Sequence, residues 1–441
     1  GDGDGDGNHN RNHNRNHDEN DNTTAITTAT PTPLCNLARS SDWSALLVRC
    51  ETHPSEASMI DPSTGDTVLH CAVANNPPPV VVTKLFETEQ ESIAIGNDSG
   101  RLPLHVACGH RASGGVISAL LEANPDTAVL RDASGFCPLH ILCDRGGPVA
   151  SMEVLLGVLL ETAVGASTVA VADCVFGRTP LHILNQRKNL GAFCSLLDSL
   201  RDWRRRERDA LLSGNWNESD EKKLAARTND AKDTEFWCKA RLLILAEYAA
   251  CRRGAASGTG TGTIPEGAPV DWNEQSIVRA CLGIGDCPPS LLEYALLVYN
   301  DELSVTNGNG DLVLHEVCRR CLAPFHEKER IVAEVLWADP KAARVRNDDG
   351  KFPLELYLAG DGSAGSAGSA SDASGGAPKP PSWSETLRSL VSANPLALDA
   401  LDLDTRLYPM LLARMGCGAE ARSDVFDLLR GSCALLVSSY H

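Results

Sequence analysis

Aromatic residues are scarce in this chain. Phe, Tyr and Trp together make up 5% of it, and the apolar remainder is mostly Leu, Ala and Val. That poverty argues against a strand-rich sandwich, whose facing sheets draw on β-branched and aromatic side chains, and fits packed helix pairs. Positive charge is also short: 40 Lys and Arg stand against 58 Asp and Glu, for a net charge of −18 and a pI near 5.1. So acidic a chain repels nucleic acid and anionic membrane, and neither is expected as a partner. The most apolar window, Met152 to Phe176, is interrupted by Glu153, Glu161 and Asp173 and reads as a helix plus its link rather than a bilayer span. No basic start leading into an apolar run is seen, so no secretory signal is expected. The sixteen cysteines lack a disulfide-framework spacing. Cys108, Cys143 and Cys318 share one recurring position, as buried thiols in a reducing compartment would. A cytoplasmic location is expected, with the nucleus left open. No Ser/His/Asp arrangement, kinase signature or paired-acid motif is found, so the chain reads as non-enzymatic, with no cofactor.

What the sequence does have is a nine-residue string that returns. Gly100-Arg101-Leu102-Pro103-Leu104-His105-Val106-Ala107-Cys108 recurs as Gly65 to His70, Gly135 to His140, Gly177 to His182 and Gly310 to His315. Degraded copies stand at Gly350 to Glu355 and Thr405 to Leu411. A Gly supplies the positive φ of a tight turn, Pro suits the first helical position, and Leu opens an apolar face. The His is placed to bond back to the turn backbone. His70, His105 and His140 are 35 residues apart, His182 follows after 42, and Glu355 lies 40 beyond His315. A second signal lies in the other half of each unit. Seven residues after Pro54, Pro125, Pro340 and Pro395 come Asp61, Asp132, Asn347 and Asp402, short polar side chains that bond the backbone locally in turns.

One turn and one Pro-Leu-His helix start per thirty-odd residues resembles the ankyrin repeat, and Thr179-Pro180-Leu181-His182 matches the opening of its T-P-L-H-x-A pattern. The resemblance covers roughly residues 34 to 438 apart from two insertions. It implies a mostly all-α solenoid of helix pairs with short β-turn or hairpin fingers, binding protein partners through the turn tips and inner helices.

Taken in order, residues 1–33 are a low-complexity tail too polar to offset the entropy of ordering. Residues 34–200 hold an N-terminal cap and four units. Residues 201–270 form a helical insertion and a Gly/Thr linker; within it, 201–253 carry 13 Lys and Arg against 10 Asp and Glu, an excess of base in an acidic chain. Its stretch from Phe236 to Cys251 reads as an amphipathic helix with one side to dock on the solenoid, and Trp203 to Cys251 as a candidate docking element. Residues 271–441 hold a divergent unit, two units and a C-terminal unit, with a Gly/Ser/Pro-rich insert at 360–381. In the divergent unit Trp272 to Ile284 reads as the first helix and Ser290 to Tyr299 as the second.

The residue after each turn position differs from unit to unit: Asp66, Arg101, Phe136, Arg178, Asp311, Lys351 and Arg406. These are the expected partner-binding tips, with Phe136 as an exposed aromatic anchor. The repeated residues Gly65, His70, Gly100, His105, Gly135, His140, Gly177, His182, Gly310 and His315 are expected to be structural. Regular spacing along a stack keeps the imidazoles apart, which opposes a catalytic or metal role. His315, Cys318, Cys321 and His326 form the one metal-like cluster, and a metal- or redox-responsive regulator using Cys318, Cys321 and His326 is the alternative function. His9, His13 and His17 sit in tail sequence, and Gly258 to Gly262 lacks the strand and Lys-Ser/Thr of a phosphate loop. Arg204-Arg205-Arg206 reads as a solvated helix face, with a nuclear-import or acidic-partner patch as the second reading.

Overall fold

The computed structural model describes residues 33–161, 163–170, 173, 176–186, 190–214, 217–254, 276–284, 287–319, 325–359, 385–394 and 397. The N-terminal tail, both linkers, Trp272, Cys321, Arg406 and the expected C-terminal unit lie outside the described residues.

Each unit starts with a helix too short to persist alone in water. Pro103, Pro138, Pro180 and Pro353 open four of these inner helices, and Thr67 and Thr179 cap two of them. The inner helices are Pro33–Ser40, Val68–Val73, Pro103–Gly109, Pro138–Arg145, Pro180–Asn185, Ile277–Gly283, Val313–Arg319 and Pro353–Ala359. Behind them run the outer helices Trp43–Thr52, Pro79–Thr88, Gly114–Ala123, Val149–Glu161, Leu190–Ser213, Pro289–Val298, Phe325–Ala338 and Glu385–Ala393. Through the first five units each inner helix packs on the next inner helix, and the outer helices from Trp43–Thr52 to Val149–Glu161 pack likewise. One continuous apolar core runs from Leu34 to Ala397. Stability therefore comes from neighbours covering one another, as in any stacked repeat. The fold is an ankyrin-type helix-pair solenoid, and its only strand pairing among the described residues is a bridge between Ile60 and Thr67.

The 42-residue step has a local cause. A seven-residue helix, Ala163–Val169, is inserted after Val149–Glu161. Both helices fall in the apolar window noted above, and among the described residues no helix is long and apolar enough to cross a membrane.

The segment read as an insertion is built into the stack. Leu190–Ser213 is one helix, so the expected boundary at 201 falls in its middle. Glu218–Lys232 and Glu235–Gly254 follow. The last is not a one-sided docking helix: Trp237, Ala240, Leu243, Ile244, Leu245, Ala246 and Ala249 are all buried. It lies between the inner helices Pro180–Asn185 and Ile277–Gly283 and also packs on Val149–Glu161 and Ala163–Val169. Gly283 faces it so closely that an added Cβ would sit 2.2 Å from the Tyr248 ring. An aromatic cluster completes the joint. The rings of Trp237 and Tyr294 lie 4.6 Å apart, Phe193 stacks on Phe236 at 4.6 Å, and Trp237 Nε1 donates to Tyr299 Oη at 3.2 Å. Tyr294 Oη donates to the Ala231 carbonyl at 2.9 Å, and burial pushes this phenol up to about 12. Phe193, Phe236, Trp237, Tyr294 and Tyr299 thus gather where the regular stack is interrupted.

Candidate functional site

The fingers are hairpin turns closed by one polar residue each. The Asp132 carboxylate accepts from the amides of Ser134 and Phe136, both at 2.9 Å, while its own amide donates to the Phe136 carbonyl at 2.9 Å. Asn97 and Asn307 repeat this with Ser99 and Arg101, and with Asn309 and Asp311. Asp61 accepts from Ser63 and from Arg39, which hold its carboxyl down at about 2. Consecutive fingers are also joined through their backbones: the amides of Asp98, Ala133 and Asp348 donate to the carbonyls of Thr64, Ser99 and Asn309. Gly100 takes φ +65°, and a Cβ there would lie 2.8 Å from the Ala133 amide nitrogen. Glycine is required twice over, by conformation and by the approach of the next finger.

The recurring histidines are the second half of this joint. In His70, His105, His140 and His315 the Nδ1 accepts from the amide three residues earlier, at 3.2 to 3.3 Å. The proton is then on Nε2. His70 Nε2 donates to the Arg101 carbonyl at 2.8 Å, His105 to Phe136 at 3.1 Å, and His315 to Lys351 at 3.2 Å. Each accepting carbonyl belongs to the residue after the turn glycine of the next unit. Burial lowers the pKa of all three, His105 to about 4, so they are neutral imidazoles with both nitrogens occupied. The His182 Nδ1 lies 2.7 Å from Thr179 Oγ1.

Two departures from the motif keep part of this arrangement. Glu355, in place of His, accepts from the Phe352 amide at 2.6 Å and so caps its own helix. In the divergent unit Ser276 is the cap and Arg279, three residues on, stands where His stands elsewhere. Its NH2 donates to the Asp311 carbonyl at 3.1 Å and to the Val305 carbonyl at 2.8 Å, and its Nε donates to Glu316 at 2.9 Å. Arg279 was not singled out from the sequence. The signal available was a long donor three residues after a Ser, 36 residues before His315.

The expected tip residues lie on the limb of the finger that returns to the helix. Asp311 is fully buried and accepts from Arg319 and from Asn347 Nδ2 at 2.8 Å. Asp66 is half-buried and accepts from Asn97 at 2.9 Å. Arg101 reaches Asp132 at 3.2 Å, and Arg178 reaches Asp173 and lies over the Phe176 ring at 4.3 Å. Phe136 is half-buried against the core, edge-on to His140, whereas Phe176 is 67% exposed. Lys351 is exposed. A further series was not anticipated: Met59, Leu130, Val305 and Val345, each two residues before the finger's Asp or Asn, are 40 to 53% exposed. They form one apolar position per unit along the fingers' outgoing limb.

Beneath the first fingers the inner helices line a groove of about 350 Å³, with Arg39, Asn75, Arg101, His110 and Arg145 on its surface. His70, Cys71 and His105 line it as well: the neighbouring Cys35 and burial hold the Cys71 thiol well above its usual range, and both imidazoles are spent on the finger joints. In the metal-like cluster His315 is spent on the Leu312 amide and the Lys351 carbonyl, and burial raises the Cys318 thiol to about 12. Cys321 and the His326 side chain lie outside the described residues, and no group of metal ligands is found among those described.

No family model matches the chain, and no curated protein matches it. Among solved structures it is similar to the ankyrin repeat domain of Bcl-3, a unique member of the IkappaB protein family. Identity is 16%, 74% of this chain and 93% of that one are covered, and the TM-score is 0.30. The fold assignment here rests on this chain's own repeated geometry: helix pairs, fingers and the His-to-carbonyl joint.

Proposed function

We propose that this ankyrin-type stack is a non-enzymatic protein-binding scaffold, working in the cytoplasm or nucleus, that grips its partner along the fingers and the inner-helix groove. One observation carries this reading. The positions that hold the stack together repeat from unit to unit, while the finger positions differ: Asp66, Arg101, Phe136, Arg178 and Lys351 comprise four kinds of side chain. Variety on a fixed frame is what a partner-specific surface needs, and the apolar series Met59, Leu130, Val305 and Val345 supplies desolvated contact area beside it. Arg406 belongs to the same series, although outside the described residues.

Crosslinking with mass spectrometry on the native full-length protein tests the proposal. Crosslinks to a partner should map to the finger side, Lys351 among them, and should fall several-fold when Leu130, Val305 and Val345 are each changed to Lys. Crosslinks confined to the outer helices, unmoved by these changes, would overturn it.

A further inference from the structure

The overhang of Leu190–Ser213 creates a second surface against the outer helices. Residues beyond 200 carry this helix past its own unit to the outer helix Pro289–Val298, where Arg201 pairs with Glu293 and Arg204 donates to the Leu297 carbonyl at 2.9 and 3.0 Å. Together with Phe325–Ala338 it encloses a pocket of about 570 Å³ lined by Arg204, Arg208, Leu297, Trp337, Lys341 and Arg344. That is within the usual range for a built ligand site, roughly 300 to 1,000 Å³.

The charges in this pocket do not cancel. Of its two carboxylates Glu207 is paired with Arg204 at 2.8 Å, while Asp339 accepts from the amide of Lys341 at 3.1 Å and keeps its charge. Arg204 is satisfied by Glu207 and Leu297. Arg208 lies over the Trp337 ring at 5.4 Å, and Lys341 is exposed. Arg344 is exposed and donates through Nε to the Ala393 carbonyl at 2.8 Å. Three cations against the one carboxylate of Asp339 therefore leave an excess of two positive charges around a floor of Trp337 and Leu297, in a chain of net charge −18.

We propose that this pocket takes an acidic peptide segment of a partner protein, with an apolar side chain of that segment seated on Trp337 and Leu297 and its carboxylates on Arg208, Lys341 and Arg344. The apolar floor distinguishes such a segment from a bare anion, which has nothing to place there. The acidic remainder of the surface disfavours a polyanion as long as a nucleic acid. The pocket shares no residue with the finger series, although Arg344 directly precedes Val345, and the proposal does not depend on the finger reading.

The test is fluorescence anisotropy on the full-length protein with a labelled heptapeptide, Glu-Asp-Glu-Leu-Phe-Glu-Asp. Saturable binding is expected, weaker by about tenfold for a version with Gln and Asn in place of the acids, and weaker again in high salt. Replacing the Leu and Phe of the peptide by Ser should weaken it comparably. Arg208→Glu should reduce affinity by at least about tenfold, and so should Lys341→Glu, an exposed change that leaves folding intact. Capture of a finger-side partner by the same variants should be unchanged. Equal binding of the acidic and amide peptides, or equal affinity of wild type and both variants, would overturn the proposal. So would displacement by an equimolar single-stranded oligonucleotide, which would point to phosphate. Binding seen only after residues 1–32 are removed would assign the pocket to the chain's own segment Asp18 to Asn22, and would equally defeat a partner peptide.

Discussion

His70 and Arg101 meet across 31 residues: the imidazole Nε2–H of one donates to the backbone carbonyl of the other at 2.8 Å. The same ring accepts the Thr67 amide on its other nitrogen. One side chain thus starts its own helix and holds the next finger, and the joint between units is polar as well as apolar. Because a neutral ring is needed to accept and donate together, the joint is sensitive to protonation.

His105 gives this sensitivity a window. Above its ordinary pKa of 6.5 it is neutral in both the folded and the unfolded chain, and its contribution is complete. Below 6.5 the unfolded chain takes up a proton that the folded chain refuses until about 4. Stability therefore falls across that interval, by about 3 kcal/mol from this residue. His70 and His315 shift in the same direction and steepen the fall. Asp61 acts separately: its contribution is present above 3.8 and is lost as the pH drops through about 2. Urea midpoints measured against pH should be level above 6.5 and decline towards 4, with a shallower decline in His105→Gln. A level profile down to 4 would show that these rings do not stay neutral.

Gly100 and Gly177 separate conformation from contact. Both take φ +65°, but only at Gly100 does the next finger stand where a Cβ would go; at Gly177 no described atom lies within 4 Å. Gly177→Ala should cost about 1 kcal/mol for the left-handed backbone alone. Gly100→Ala should cost about 1 to 2 kcal/mol more, since the Ala133 amide must move and its bond to Ser99 is strained. Chemical unfolding of the two variants gives the difference directly.

Trp237 tests whether the central helices belong to the core. Trp237→Ala removes the largest fully buried side chain among the described residues and should cost about 3 to 5 kcal/mol. Deleting 201–253 should unfold the neighbouring units rather than merely detach a docking arm. Limited proteolysis and thermal melting would show this, and a deletion protein as stable as the parent would contradict it.

The repeats were legible because one short string performs the same physical task each time, so Gly65 to His70 and its copies stand out by recurrence. The Asp and Asn at the finger entrances were legible for the same reason. The helix from Phe236 was misread because its pattern resembles one apolar side, whereas Leu242 to Ala246 is a consecutive buried run, packed on both sides. What that run packs against lies far away in sequence, at Ala163–Val169 and Ile277–Gly283. The inward turn of Asp311 and Asp66 was equally invisible, since their partners are side chains of the next unit. Arg279 escaped because it keeps the function of the motif and none of its letters.

Arg279 also carries the most exacting consequence of the joint. Its side chain hydrogen-bonds the divergent unit to the finger before Val313–Arg319, through the Val305 and Asp311 carbonyls and through Glu316. Arg279→Ala leaves Glu316, itself mostly buried, with only Asn307 Nδ2 at 2.9 Å, and should cost about 3 kcal/mol. Stacked repeats lose cooperativity where a nearest-neighbour interface is weakened, so the loss should appear as a broadened or two-step urea transition rather than a simple shift. Arg279→His should restore at most part of it, because an imidazole lacks the donors to reach both carbonyls and the carboxylate together. A double-mutant cycle with Glu316→Gln isolates the charged part of the contact. Should Arg279→Ala change the unfolding free energy by less than about 0.5 kcal/mol with the transition as sharp as before, this side chain does not carry the joint, and apolar packing with the Asn300 to Ala338 bond holds the two halves together.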